Sequence, residues 1–202
     1  MGPVQVSTGR IYKIERTDRA LFYRVLAYMR SMDYVRVTKD MPDLDKVMDI
    51  YESSFPEKER ASIDELINGY DSKTSRFEAV YLKGEITSIV FTVSDSRIVF
   101  LYYLATKEKC RSKGIGGRIL DELCARSNLP MILNVEHVDQ SFEDYEIRKR
   151  RYDFYIRHGF SDTGRVLSDE QGTFNVLCKG KFDESHYLDF LNSFGGETCI
   201  YL

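Results

Sequence analysis

Residues 110 to 123 read Cys-Arg-Ser-Lys-Gly-Ile-Gly-Gly-Arg-Ile-Leu-Asp-Glu-Leu, placing Gly114, Gly116 and Gly117 at the mouth of a patterned run. Apolar residues then recur at Ile115, Ile119, Leu120, Leu123 and Cys124, the spacing of one helix face. Backbone N–H groups at such a helix start, exposed because glycine has no side chain, can donate to a compact anion such as a pyrophosphate. The peptide groups from Arg111 through Ser112, Lys113, Gly114, Ile115 and Gly116 to Gly117 would hold it, and the Arg111 and Lys113 side chains add positive charge. A P-loop requires Gly-Lys-Ser/Thr where this chain has Gly116-Gly117-Arg118, so that reading fails. The dinucleotide fingerprint needs a small residue where Ile119 stands and a βαβ unit where hairpin-like strands precede. A plain glycine-rich helix cap stays open.

A third pattern, Arg-x-x-Gly-x-Gly, is met by Arg111, Gly114 and Gly116, directly after a strand-like run and directly before a helix. With it the chain resembles the GNAT superfamily of acyl-coenzyme A-dependent N-acetyltransferases, and the order of its elements is similar too. A second stretch supports the resemblance: Tyr155, Gly159 and Phe160 match a Tyr-x-x-x-Gly-Phe pattern at the end of the helix after the family's fifth strand. The resemblance implies acetyl-coenzyme A as co-substrate, no metal, and Tyr155 as the group that protonates the departing thiolate. A phenol of pKa ~10 can supply that proton or a hydrogen bond. It also implies that a backbone N–H beside Leu104 and Thr106 polarises the thioester. By residue type alone Tyr155 equally fits a packing stripe with Tyr152 and Ile156. The chain departs from the family at Arg148 and Arg151, where many members have Asn and Ala, so the Asn contact is not carried over.

Glu136 ends an otherwise apolar strand, Met-Ile-Leu-Asn-Val-Glu, and a carboxylate there calls for a reason. If this strand diverges from the one at 99–106, as the resemblance implies, Glu136 borders the reacting amine and serves as its base, directly or through water. A strand end at the surface would need no such role. Acidic residues Asp139, Glu143, Asp144 and Glu146, with the segment 55–60, fall where the family builds its acceptor wall. An acidic wall favours a cationic amine, though Glu143 and Asp144 also suit a helix start. The basic run Arg148 to Arg151 points all ways round a helix and reads mainly as a solvated face.

The elements that must position these groups follow from periodicity. A helix is expected at 17–31, with Asp18 as cap and Leu21, Phe22, Val25, Leu26 and Met29 on one face. A strand follows at 34–39, then two helices at 41–55 and 62–70, and a hairpin around Lys83-Gly84. Further on stand a strand at 97–106, the glycine-led helix, the strand at 131–136, a helix stopped by Gly159, a strand at 172–180 and a short C-terminal helix. The sum is a mixed α/β fold with a largely antiparallel sheet flanked by helices, GNAT-like over 34–180, with an N-terminal helical extension at 1–33 and a C-terminal helical tail at 181–202.

Composition narrows the class. The chain has 202 residues, 43% hydrophobic and 30% charged, which suits one soluble globular domain with additions. A net charge of −3 lacks the positive field of a nucleic-acid binder. Cys110, Cys124, Cys178 and Cys199 stand apart and read as reduced thiols. The early apolar run is too short to span a bilayer, so no membrane contact is expected and the cytoplasm is the default address. The acceptor is an amine of a small molecule or peptide, and dimerisation through the 17–31 helix or the C-terminal strands stays open. The rival classes are a non-catalytic acyl-coenzyme A-binding module and a protein-interaction domain.

Overall fold

The computed structural model describes residues 31–69 and 74–193, and the backbone alone at 4–5, 11–12 and 199–201. The helix expected at 17–31 lies outside the described residues, as does most of the expected extension at 1–33. Two short strands, β1 (Val4–Gln5) and β2 (Ile11–Tyr12), pair with each other. They precede β3 (Met32–Arg36), α1 (Leu44–Ser54), α2 (Ile63–Asn68), β4 (Thr74–Leu82), β5 (Glu85–Ser94) and β6 (Val99–Thr106). There follow α3 (Ile115–Ala125), β7 (Met131–Glu136), α4 (Tyr145–Arg157), β8 (Ser161–Asp169), β9 (Gly172–Lys179), α5 (Glu184–Asn192) and β10 (Cys199–Tyr201).

Strands β3 to β10 form one eight-stranded sheet in the order β10-β8-β9-β7-β6-β5-β4-β3. Every neighbouring pair is antiparallel except β6 and β7, which run parallel. The β4–β5 hairpin turns at Lys83 and Gly84, whose φ values of 56 and 78° are those a tight hairpin turn demands. The expected strand at 34–39 begins earlier, because Met32 to Arg36 pair with Leu82 to Glu78. Strand β8 was not foreseen from sequence: its pairing with β9 breaks between Asp162 and Val166, around Gly164 at φ 74°, and this bulge removes the alternation that marks a strand.

Side chains alternate between two cores, one on each face of the sheet. Ala79, Ile89, Phe91 and Ile132 face a core shared with Tyr51 of α1, Leu66 of α2, and Tyr187 and Phe190 of α5. Val80, Val90, Leu101 and Leu133 face a second core with Ile115, Ile119, Leu120 and Leu123 of α3 and Phe160 after α4. Burial on both faces explains why runs such as Ile89-Val90-Phe91 are continuously apolar. The expected tail helix is α5, and it packs into the first core rather than standing off the sheet. Among the described residues no helix is long and apolar enough to cross a membrane.

Candidate active site

The single parallel pairing is short. Val99 pairs with Met131 and Phe100 with Ile132, and there β6 and β7 part. Each then stays bound to its other neighbour, β6 to β5 as far as Thr106 and β7 to β9 as far as Glu136. A bulge at Tyr102, between the pairs Phe91–Tyr103 and Thr92–Leu101, bends β6 at the fork. The result is a cleft of about 2080 Å3 that opens between the two strands. Leu104 and Thr106 line it from β6, Glu136 from β7 and Tyr155 from α4.

At one end of the cleft lies the glycine loop. Ser112 and Gly114 both adopt left-handed backbone, at φ 60 and 74°, and Gly114 caps α3. Interspersed left-handed residues turn successive N–H groups toward one concave side, and the helix start adds positive potential. This geometry fits a pyrophosphate. Arg111, Ser112, Gly114, Ile115, Gly116 and Gly117 line the cleft, whereas Lys113 is exposed and outside its lining. Arg111 Nε donates to the Thr106 carbonyl at 3.0 Å, which fastens the loop to the end of β6. Thr106 Oγ1 accepts from Ser88 Oγ at 3.1 Å.

Tyr155 sits where α4 ends. The Tyr155 carbonyl accepts from the N–H groups of His158 and Phe160, at 3.0 and 3.2 Å, while Gly159 at φ 84° reverses the chain. Phe160 then drops into the second core and meets the Tyr155 ring edge-on at 5.9 Å. The motif residues thus stop the helix and seat the phenol. Burial raises the Tyr155 hydroxyl to about 12, with the Arg151 charge pulling it down and that of Glu136 pushing it up.

Glu136 is held by Arg151, whose Nη1 donates to both of its carboxylate oxygens. The basic run therefore divides. Arg148 pairs with Asp144 at 2.6 Å and Lys149 with Asp153 at 2.5 Å, while Arg150 and Arg151, both exposed, line the cleft. The acidic stretch also lies elsewhere than expected. Asp139 caps the Ser141 N–H at 2.8 Å, Asp144 holds Arg148, and none of Asp139, Glu143, Asp144 and Glu146 lines the cleft. Apart from Glu136, its acids are instead Glu52 of α1, Glu59 from the α1–α2 connection, Glu65 of α2, and Asp169 and Glu170 at the β8–β9 turn.

Glu59 went unrecognised as an individual residue, although it falls in the 55–60 segment. Tyr103 fixes its backbone, donating to the Glu59 carbonyl at 2.6 Å and accepting from the Ala61 N–H at 3.2 Å. Burial raises the Glu59 carboxyl above its ordinary range, and the Glu136 charge raises it further against Lys58, Arg151 and Arg148. His137, the residue after Glu136, turns its Nδ1 to Asn175 Oδ1 at 2.9 Å. Cys110, Cys124 and Cys178 are free thiols.

No protein-family model matches the sequence. A "Putative acetyltransferase from GNAT family" of Bacteroides thetaiotaomicron superimposes with a TM-score of 0.61 at 20% identity, over 79% of this chain and 93% of that one. The chain has the fold of the GNAT acetyltransferases. The GNAT-family acetyltransferase of Elizabethkingia anophelis, solved with acetyl-CoA bound, gives a TM-score of 0.53 at 12% identity, over 75% of this chain and 99% of that one. In sequence, "Putative acetyltransferase YjbC" of Bacillus subtilis (strain 168) is 35% identical over 78 residues. That match covers 39% of this chain and spans 38% of the curated relative's length. A forked β6–β7 pair with a glycine loop before α3 is how the GNAT fold presents itself in this chain.

Proposed function

We propose that this chain is an N-acetyltransferase that moves an acetyl group from acetyl-coenzyme A to a primary amine by direct attack in a ternary complex. One observation supports the reading: where β6 and β7 part, the glycine loop, the free edge of β6 and Tyr155 line one cleft. The unit responsible is 34–180, with 1–33 and 181–202 as additions. Acetyl-coenzyme A supplies a thioester carbon for the amine to attack and a thiolate to leave.

The chain's own groups divide the work. Backbone N–H groups from Arg111 to Gly117 take the pyrophosphate, and the β6 edge beside Leu104 and Thr106 donates to the thioester oxygen as it gains charge. The new bond joins the amine nitrogen to the acetyl carbon, the carbon–sulfur bond breaks with its electron pair passing to sulfur, and the nitrogen loses a proton. Glu136 and Glu59 border the acceptor end, and a carboxylate has about four lone-pair sites, so Glu136 keeps capacity for a bridging water beside its two bonds to Arg151. The proton leaves through these carboxylates. Tyr155, protonated throughout the physiological range, offers its O–H to the thiolate. Glu52, Glu59, Asp169 and Glu170 give the acceptor end a negative field that favours a cationic amine, on a small molecule or a peptide.

Calorimetric titration with acetyl-coenzyme A, with adenosine 3′,5′-bisphosphate as control, tests the first half. Thiol release on addition of a panel of amines tests the second. Saturable binding without any thiol release would leave a binding module; no binding would remove the reading.

A further inference from the structure

Arg151 precedes Tyr155 by one helical turn, so the two side chains leave the same face of α4. Its Nη1 donates to both oxygens of Glu136 at the end of β7, and all three side chains line the cleft. The pair is not a core device: the Arg151 side chain is 53% exposed and that of Glu136 26%, a position where an ion pair adds little stability. What the pair does is fix a guanidinium beside Tyr155.

Arg150 and Arg157 of the same helix also line the cleft, but the charges that act on the Tyr155 hydroxyl are those of Arg151 and Glu136. Arg148 is held by Asp144, and Lys58 from the α1–α2 connection donates to the Gln171 carbonyl at 3.2 Å. Glu59, from the same connection, and Glu136 are negative and oppose an anion. Of these cations Arg151 is the one whose charge acts on the Tyr155 hydroxyl.

We propose that the Arg151 guanidinium, anchored by Glu136 one turn from Tyr155, is a positioning charge that stabilises the coenzyme A thiolate released at Tyr155. This inference rests on the acetyl-transfer reading above. When the carbon–sulfur bond breaks, its electron pair goes to sulfur. The sulfur anion then receives the Tyr155 O–H hydrogen bond within the field of a fixed cation. A phenol at about 12 would lose its proton uphill to a thiolate, a class of base whose acids ionise well below that, the cysteine thiol at about 8.5. Stabilising the thiolate as an anion avoids that step, and the cation is what allows it.

The test needs no acceptor. The full chain is saturated with coenzyme A, and thiolate absorbance in the ultraviolet is followed against pH, with desulfo-coenzyme A as the blank. In the unaltered protein the bound thiol should ionise about one pH unit or more below free coenzyme A, the size of effect expected of an adjacent cation. Arg151→Met should return it toward the free value, and Arg151→Lys should keep most of the shift. Thiol ionisation at the same pH in Arg151→Met as in the unaltered protein would overturn the proposal alone, and the Lys variant repeats the comparison with the charge retained. No binding of coenzyme A to the unaltered protein would overturn the acetyl-transfer reading and this proposal with it.

Discussion

A Cβ on Gly117 would stand 2.5 Å from both Cε1 and Nε2 of His158. The His158 ring cannot easily withdraw, since its Nδ1 lies 3.0 Å from Asp121 Oδ1 and its face meets Phe154 at 4.9 Å. Glycine at 117 therefore lets the first turn of α3 close against the last turn of α4. That contact joins the glycine loop to the helix carrying Tyr155. At Gly116 the nearest atoms to an added Cβ are Thr106 Oγ1 at 3.5 Å and Phe154 Cζ at 3.7 Å, an ordinary fit.

Gly117→Ala should consequently lower stability by about 1 to 3 kcal/mol, the usual cost of overpacking. Gly116→Ala should be much milder. Thermal melting checks both, and removing the obstructing ring in Gly117→Ala/His158→Ala should restore part of the loss. Simple addition of the two single effects would show that the two residues are not coupled.

Gly116→Asp puts a carboxylate in the glycine loop where it lines the cleft. Saturable coenzyme A binding should disappear in calorimetry while the protein still melts cooperatively. Unchanged affinity would mean that the loop does not hold the pyrophosphate.

Tyr155→Phe removes the O–H but keeps the ring that meets Phe160. Turnover should fall by about a hundredfold or more, in the range found for positioned proton donors, with coenzyme A affinity little changed. Steady-state kinetics beside calorimetry separates the two effects. An undiminished rate would leave Tyr155 as a packing residue.

Glu59 carries a second, pH-dependent prediction. Its carboxyl is raised in the folded protein by burial and by Glu136, so the ionised form is disfavoured relative to the unfolded chain. The contribution of Glu59 to stability is then fully present below its unfolded pKa and is lost as pH rises through the folded one. Glu59→Gln should raise the melting temperature at pH 7, and the difference should vanish in acid. If Glu59 takes the amine's proton, the same variant should lower turnover, and the acid limb of the unaltered enzyme should lie above the ordinary carboxylate range. A variant no more stable at pH 7 than at pH 4 would contradict the electrostatic account.

Most of the local elements, β8 apart, and their order along the chain are legible in the sequence. The glycine-led start of α3, the Lys83-Gly84 turn and the stop at Gly159 were legible because each rests on backbone freedom at the residue itself and on a helical or strand period beside it. That Tyr155 and Glu136 belong near one another followed from the resemblance. How they meet is set by contacts distant in the chain. The parting of β6 and β7 after Phe100 and Ile132, the capture of Glu136 by Arg151 and the arrival of Glu59 opposite them join residues far apart in the chain. The same holds for the acids: Asp139 and Asp144 turn inward to their own loop and helix, while Asp169 and Glu170 reach the cleft from a hairpin whose first strand is broken by a bulge. A charge shows its residue type in sequence, but its partner is chosen by which strands pair and which helix ends pack together. Those are properties of the whole sheet.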